Sequence, residues 1–250
     1  MTVQVFRGPT IDAPTPDPRR GTLLDVAEVR EGVAWIDSND VFVSWNCIEA
    51  KWTEVCGVGD STPAKTFDGP TMVDGADFVV YLGGQCKPLG ADTEAQIDRV
   101  FDLRESRAVE KRFETLILGN GTAVSGTPVS AAHALAIMEN ALGDQYAGVG
   151  TIHMSPLMAT LLLQNQMLVE NGGRFTTTIG SKVVVGTGYS STALYGTGDV
   201  VVFRGPKVHV PAPDTANNTV NMLVERAYVV VADCVSLKMT GVPMPTGDTP

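Results

Sequence analysis

The sequence predicts an α+β protein, and three observations carry that expectation: one long amphipathic helix between residues 93 and 118, a run of alternating helices and strands from 122 to 205, and β-rich segments closing the chain after 222. The helix, TEAQIDRVFDLRESRAVEKRFETLIL, has the most complete signature. Thr93 and Gln96 have capping-box spacing. Ile97, Phe101, Ala108, Val109, Phe113, Leu116 and Ile117 recur at helical steps, and Gly119-Asn120-Gly121 offers a left-handed stop. Asp98, Asp102, Arg104, Glu105, Arg107, Glu110, Lys111, Arg112 and Glu114 are assigned to an opposite, charged face.

In chain order, Pro9, Pro14, Pro16 and Pro18, followed by Arg19 and Arg20, exclude a helix or a central strand, so residues 1–40 are expected as an extended arm. Residues 41–91 begin with the loosely alternating Val41-Phe-Val-Ser-Trp and continue through dense Gly and Pro punctuation, in which Asp77-Phe-Val-Val-Tyr-Leu is the clear strand. They fit a long projecting hairpin, with open edges that need partners. After the long helix, Ser130 caps a second helix ending near Gly143, and the strand Val149–Met154 runs into Ser155-Pro156, a cap and a first helical position. A helix over 157–168 should stop at Asn171-Gly-Gly; Ile179-Gly-Ser-Lys should turn into Val183-Val-Val, and Asp199-Val-Val-Val-Phe is a buried strand. Residues 206–221 are expected as a polar connection, 222–239 as strands, and 242–250 as a flexible tail.

Composition excludes several classes. With 44% hydrophobic residues in a chain of 250, a substantial core is available, as one large domain or two small ones. The formal charge of -10 argues against a surface that grips nucleic acid by neutralising phosphates. The first residues lack a signal-peptide pattern and no run is apolar enough for a membrane span, which predicts synthesis in a cytoplasm. Cys47, Cys56, Cys86 and Cys234 form no CxxC and are too sparse for a disulfide framework, so reduced, packed thiols are expected.

Chemical signatures are thin. His133, His153 and His209 stand far apart, no HExxH or Cys pair has metal spacing, and no GxSxG elbow exists. Gly186-Thr-Gly188 follows a strand, but Ser191 stands where a dinucleotide fingerprint has its third glycine, so these glycines read as turn residues. No catalytic, cofactor-binding or metal-ligating residue is assigned.

Three stretches carry a resemblance to a known family. Glu105-Ser-Arg-Ala-Val-Glu-Lys-Arg-Phe-Glu is similar to the spine helix of the major capsid proteins of tailed bacteriophages, the Hong Kong phage-type fold shared with encapsulins. Ile152-His-Met-Ser-Pro-Leu-Met-Ala-Thr-Leu-Leu, with Gly172-Gly and Ile179-Gly-Ser-Lys-Val-Val-Val-Gly-Thr, resembles the run through that family's axial domain. Glu225-Arg-Ala-Tyr-Val-Val-Val-Ala-Asp-Cys resembles its closing peripheral strand, departing from it at Asp233-Cys234, where many relatives place Pro-Ala.

The resemblance implies an N-terminal arm (1–40), an extended loop (41–91), a peripheral domain (92–121 and 206–241) and an axial domain (122–205). It implies a structural, non-enzymatic protein without cofactor that assembles with copies of itself into the pentamers and hexamers of an icosahedral head. Such a head encloses double-stranded DNA without sequence-specific binding and is assembled in a bacterial cytoplasm. Scaffold, portal or decoration proteins are the further partners it admits, and no membrane is involved. Arg19, Arg20, Arg104, Glu105, Arg107, Lys111, Arg112, Asn171, Arg174 and Phe175 are the implied inter-subunit contacts. An encapsulin-like compartment is the same-fold alternative, disfavoured by the proline-rich arm; a small α/β hydrolase is the alternative of another class.

Overall fold

A computed structural model describes residues 19–31, 42–44, 46–47, 70–73, 75–86, 92–214 and 219–244. The expected proline-rich arm before residue 19, most of the extended loop, and the tail from residue 245 lie outside the described residues, as does the side chain of Thr93 in the expected capping box. In chain order the elements are α1 (Leu23–Val26), β1 (Glu28–Glu31), β2 (Phe42–Ser44), β3 (Thr71–Val73), β4 (Ala76–Cys86), α2 (Asp92–Leu116), β5 (Thr122–Ala123), α3 (Ala131–Gln145), β6 (Thr151–Met154), α4 (Pro156–Gln164), β7 (Leu168–Asn171), β8 (Arg174–Thr177), β9 (Lys182–Val185), β10 (Leu194–Thr197), β11 (Val200–Arg204), β12 (Val208–Asp214), β13 (Thr219–Ala232) and β14 (Ser236–Met239).

Two sheets organise these elements. In the five-stranded sheet the long β13 is paired along one side by β4 and along the other by β11 and β12, with β1 parallel to β11. The seven-stranded sheet runs β5-β14-β10-β6-β9-β8-β7, and β2 with β3 forms a separate ribbon. Helix α2 joins the sheets. Ile97, Phe101, Val109 and Phe113 are buried with Val80, Val224, Tyr228 and Val230 of the five-stranded sheet, while the Phe113 ring also meets His153 of β6 at 5.5 Å. Burying a phenylalanine side chain contributes about 2–3 kcal/mol, so tertiary packing rather than helix propensity holds this element.

The second core lies on the other face of the seven-stranded sheet. Ala134, Leu135 and Met138 of α3 and Met158 and Leu162 of α4 close over Ile152, Met154, Val183 and Leu237. Alternation sets the two faces of β6: Ile152 and Met154 point to α3 and α4, His153 to α2, and all four of its residues are buried. Ser130 and Ser155 cap α3 and α4 through their hydroxyls, which accept from the His133 and Met158 amides.

The structure corrects several expectations. Helix α2 does not end at a left-handed glycine: Leu118–Asn120 tightens into a 3-10 turn and Gly121 is extended at φ -60°. Helix α4 ends at Gln164, because Asn165 turns its side-chain amide onto the Leu161 carbonyl at 2.7 Å and Gln166 takes φ 56°, so 168–171 is strand. A short apolar run fits either period. Residues 206–221 are not a plain connection, since β12 and the start of β13 form a hairpin; β12 carries Pro211 and Pro213 on the outer side of the sheet, where a missing donor is tolerated. Sheet membership also departs from the expected division at 205/206: β11 belongs to the five-stranded sheet and β14 to the seven-stranded one. Finally, Cys47 and Cys234 are not free thiols. They form a disulfide across 187 residues, with Cα atoms 6.2 Å apart, a proximity that only the fold creates.

Candidate functional site

Four acids of α2 are held by other parts of the chain. Asp98 accepts from His209 at 2.7 Å, Asp102 pairs with Lys207 at 2.6 Å, and Glu114 accepts from the Ser190 amide and the Tyr195 hydroxyl, both at 2.7 Å. Glu105 is the most enclosed of the ion-paired carboxylates. It is 5% exposed, accepts from Arg226 Nη1 at 2.7 Å and from the Tyr228 hydroxyl, and faces Arg204 Nη1 at 3.5 Å. Each of these acids is engaged by the protein itself. By contrast Arg104, Arg107, Lys111 and Arg112 are exposed and have no ion pair among the described residues, although the chain carries ten more acids than bases.

Among the implied contact residues, Arg104, Arg107, Lys111 and Arg112 therefore share the outward face of α2, and exposed Arg19 and Arg20 lie at the entry of the chain. Arg19, Arg104 and Arg107 line one groove beside α2. Glu105 is corrected: it is an internal partner of two arginines and a tyrosine, not a surface charge. Asn171 and Arg174 are exposed on the β7–β8 hairpin, while Phe175 is half-buried with its ring beside Gly21. The hairpin thus touches the entering chain at Arg20 and Gly21.

Glu110, also expected on the charged face, is 1% exposed. Its carboxylate accepts from the Leu23 amide at 3.2 Å and the Gly188 amide at 3.0 Å, tying two separate segments to α2. Burial raises its pKa above the ordinary carboxylate value, the two amides acting in the opposite sense. Gly186 and Gly188 are glycines because of this contact: a Cβ at Gly188 would stand 2.6 Å from the Arg107 carbonyl oxygen and the Lys111 nitrogen, backbone atoms of α2 that cannot step aside. We expect Gly188→Ala to cost about 2–3 kcal/mol by overpacking. Gly143→Ala in α3, with nothing within 4 Å, should stabilise by roughly 0.5–1 kcal/mol through helix propensity. Denaturant midpoints check both; coincident midpoints would contradict the close approach.

His153 is fully buried and bonded on both sides. Thr197 donates its hydroxyl to the Gly198 carbonyl, so it accepts from His153 Nε2 at 2.9 Å, which leaves Nδ1 to accept from the Tyr189 hydroxyl at 3.3 Å. Burial lowers its pKa to about 3, and burial likewise raises those of Tyr189 and Tyr195. His133 accepts from the Val129 amide through Nδ1, and His209 faces Asp98. Among the described residues no three His, Cys, Asp or Glu side chains are gathered as metal ligands, and no helix is long and apolar enough to cross a membrane.

The outer face of the five-stranded sheet, away from α2, is uncovered over much of its width. Val79 is 53% exposed, Tyr81 70%, Val208 45% and Val210 42%. They belong to one surface because Val79 stands opposite Ala227, Tyr81 and Val208 opposite Glu225, and Val210 opposite Leu223. One end of this face is closed by the ribbon: the Phe42 and Phe203 rings lie 5.5 Å apart. The signal was present in Asp77-Phe-Val-Val-Tyr-Leu, where both alternating faces are apolar, the pattern of a strand covered on two sides.

A further cluster sits where the chain passes from one sheet to the other. Asp233 Oδ2 accepts from Asn46 Nδ2 at 2.6 Å and from the Tyr146 hydroxyl at 3.0 Å, and the same hydroxyl accepts from the Asp199 amide at 3.2 Å. The Ala147 amide donates to the Asn46 carbonyl at 3.0 Å, and the Cys47–Cys234 disulfide closes the cluster. Burial raises the Tyr146 hydroxyl to about 12, keeping it a donor. Sequence reasoning missed this junction because its members come from four distant stretches.

No protein-family model and no curated protein matches the chain. Solved structures do. The chain is similar to the asymmetric unit of the bacteriophage PhiM1 mature capsid (TM-score 0.52, 13% identity, covering 97% of this chain and 93% of that one). It is also similar to a chain of Microbacterium phage Oxtober96 (0.53, 10%, 98% and 96%) and to the capsid of an empty GTA particle (0.51, 14%, 97% and 95%). At such identities the likeness is one of fold: the chain has the Hong Kong phage-type capsid fold over nearly its whole length.

Proposed function

We propose that this chain is a major capsid protein, the repeating block of an icosahedral phage head. One observation carries the reading: in a chain with this fold, the outer face of the β4–β13–β12 region exposes a set of apolar side chains around Glu225, with Tyr81 70% and Val79 53% exposed. A monomer rarely leaves such a face wet, whereas a subunit whose neighbours complete it gains from the burial. The edges of β4 and β12, which pair with no other strand among the described residues, have the same logic.

In this reading the five-stranded sheet with α2 is the peripheral domain and the seven-stranded sheet with α3 and α4 is the axial domain, which places β11 and β14 differently from the simple chain division. The cations of α2, with Arg19, Arg20, Asn171, Arg174 and Phe175, are contacts to neighbouring copies. The acidic balance suits a wall that holds packaged DNA by closure rather than adhesion. Assembly takes place in a bacterial cytoplasm, with scaffold, portal or decoration proteins as further partners and the virion as destination.

Electron microscopy of the purified protein is the test. Shells or capsomers are expected; a monodisperse monomer at high concentration would overturn the reading. Arg104→Glu, Arg107→Glu and Arg112→Glu together should leave the circular dichroism spectrum unchanged yet lower shell yield at least roughly tenfold, since like charges then meet a neighbour that presents carboxylates. An unchanged yield would return that face of α2 to mere solvation.

A further inference from the structure

The Cys47–Cys234 pair joins two places 187 residues apart in the chain. Cys47 follows β2 at the base of the ribbon, and Cys234 lies between β13 and β14, where the chain leaves one sheet for the other. The other nearby crossing, Gly198-Asp199 between β10 and β11, is bonded to the same spot: the Asp233 amide donates to the Asp199 carbonyl at 2.8 Å and the Gly198 amide to the Val235 carbonyl at 3.3 Å. A bond here fixes the ribbon against both crossings at once.

Two further features mark the pair as more than packing. Cys234 has φ 30°, a left-handed backbone in which glycine or asparagine is at ease and cysteine is not, so its sulfur is what suits the position. Both residues are half-buried at the margin of the second core rather than sealed within it. Asn46 donates its Nδ2 to the Asp233 carboxylate and its carbonyl accepts from the Ala147 amide, so the residues preceding both cysteines are held to each other independently of the S–S bond. A long-range disulfide is nevertheless at odds with a reducing compartment.

We propose that Cys47 and Cys234 form a redox-modification site: two thiols in the newly made subunit, oxidised by a low-molecular-weight disulfide after the shell leaves the reducing cell, which fastens the ribbon to the junction between the sheets. The proposal rests on the capsid reading for its timing. One cysteine thiolate attacks the small disulfide and expels one small thiol; the second cysteine thiolate then attacks the mixed disulfide and expels the other. Two protein thiols are oxidised, one small disulfide is reduced to two thiols, and the two cysteine protons end on those leaving thiols.

The experiment alkylates the expressed protein at lysis, before and after incubation with oxidised glutathione, and maps cysteines by peptide mass spectrometry under non-reducing conditions. Both thiols should be alkylated at lysis, and a Cys47–Cys234 peptide should dominate after oxidation. Thermal unfolding of the oxidised protein should then fall by roughly 5–15 °C with dithiothreitol, as expected for opening so long a loop, whereas C47S/C234S should not respond to the reductant. Comparing wild type with and without reductant keeps the test independent of how well the variant folds. A bond present already at lysis, a linkage to Cys56 or Cys86, or unfolding insensitive to reductant would overturn the proposal. Micrographs of the same samples separate the two ideas: intact shells without the linkage sink only the redox site, and a linkage in a protein that never assembles sinks only the capsid reading.

Discussion

Glu105→Ala is expected to destabilise the subunit by roughly 3 kcal/mol, because it strips the counter-charge from the Arg226 guanidinium, which has little access to water, and leaves Arg204 with only the exposed Glu31. Side-chain exposure is 6% for Glu105, 12% for Arg226 and 20% for Arg204. The Tyr228 hydroxyl, buried beneath α2, loses its acceptor in the same step. Glu105→Gln keeps the volume and an acceptor oxygen and should cost about half as much, and adding Arg226→Ala to Glu105→Ala should recover part of the loss. Urea midpoints of the purified subunit measure this; a change below about 1 kcal/mol in Glu105→Ala would mean that the cluster is not what holds α2 to β13. At its edge Glu31, which bonds the far side of Arg204, has its pKa lowered by that hydrogen bond, but it is exposed to solvent and contributes little.

Acid should loosen the protein through His153. In the folded state this imidazole stays neutral down to about pH 3, because burial opposes its charge, whereas in the unfolded chain it takes up a proton below about pH 6.5. Between those values the unfolded state binds the extra proton, so stability falls as pH falls. The loss begins near pH 6.5, approaches 1.4 kcal/mol per pH unit, and totals about 5 kcal/mol. Glu110 works in the opposite sense. Its raised pKa means that the folded state binds the extra proton between that value and 4.5, which adds stability as pH falls there. His153→Gln retains hydrogen-bonding groups for Thr197 and Tyr189 but cannot titrate, so its stability profile should be flatter below pH 6.5. Parallel profiles for wild type and variant would remove His153 as the cause.

Much of the candidate site was written in the residues themselves. The apolar stripe of α2 fixed which of its sides faces the core, and the capping serines fixed where α3 and α4 begin, because these signals depend on neighbours within four residues. The free cations at Arg104, Arg107, Lys111 and Arg112 were legible for the same reason. Glu105 and Glu110 were not. Helical spacing puts them beside those cations, and only the packing of β13, α1 and the Gly188 turn around α2 draws them inward.

Local periodicity by itself determined the α+β class, the spine, the two capped helices and the strand after Asp77, since each is decided within a few residues along the chain. Tertiary structure alone decided which sheet claims β11 and β14, that Cys47 meets Cys234, and that Val79 and Tyr81 share an open apolar face with Val208 and Val210. Pairings across tens or hundreds of residues leave no mark on local spacing; they follow from which surfaces remain to be buried once the local elements have formed.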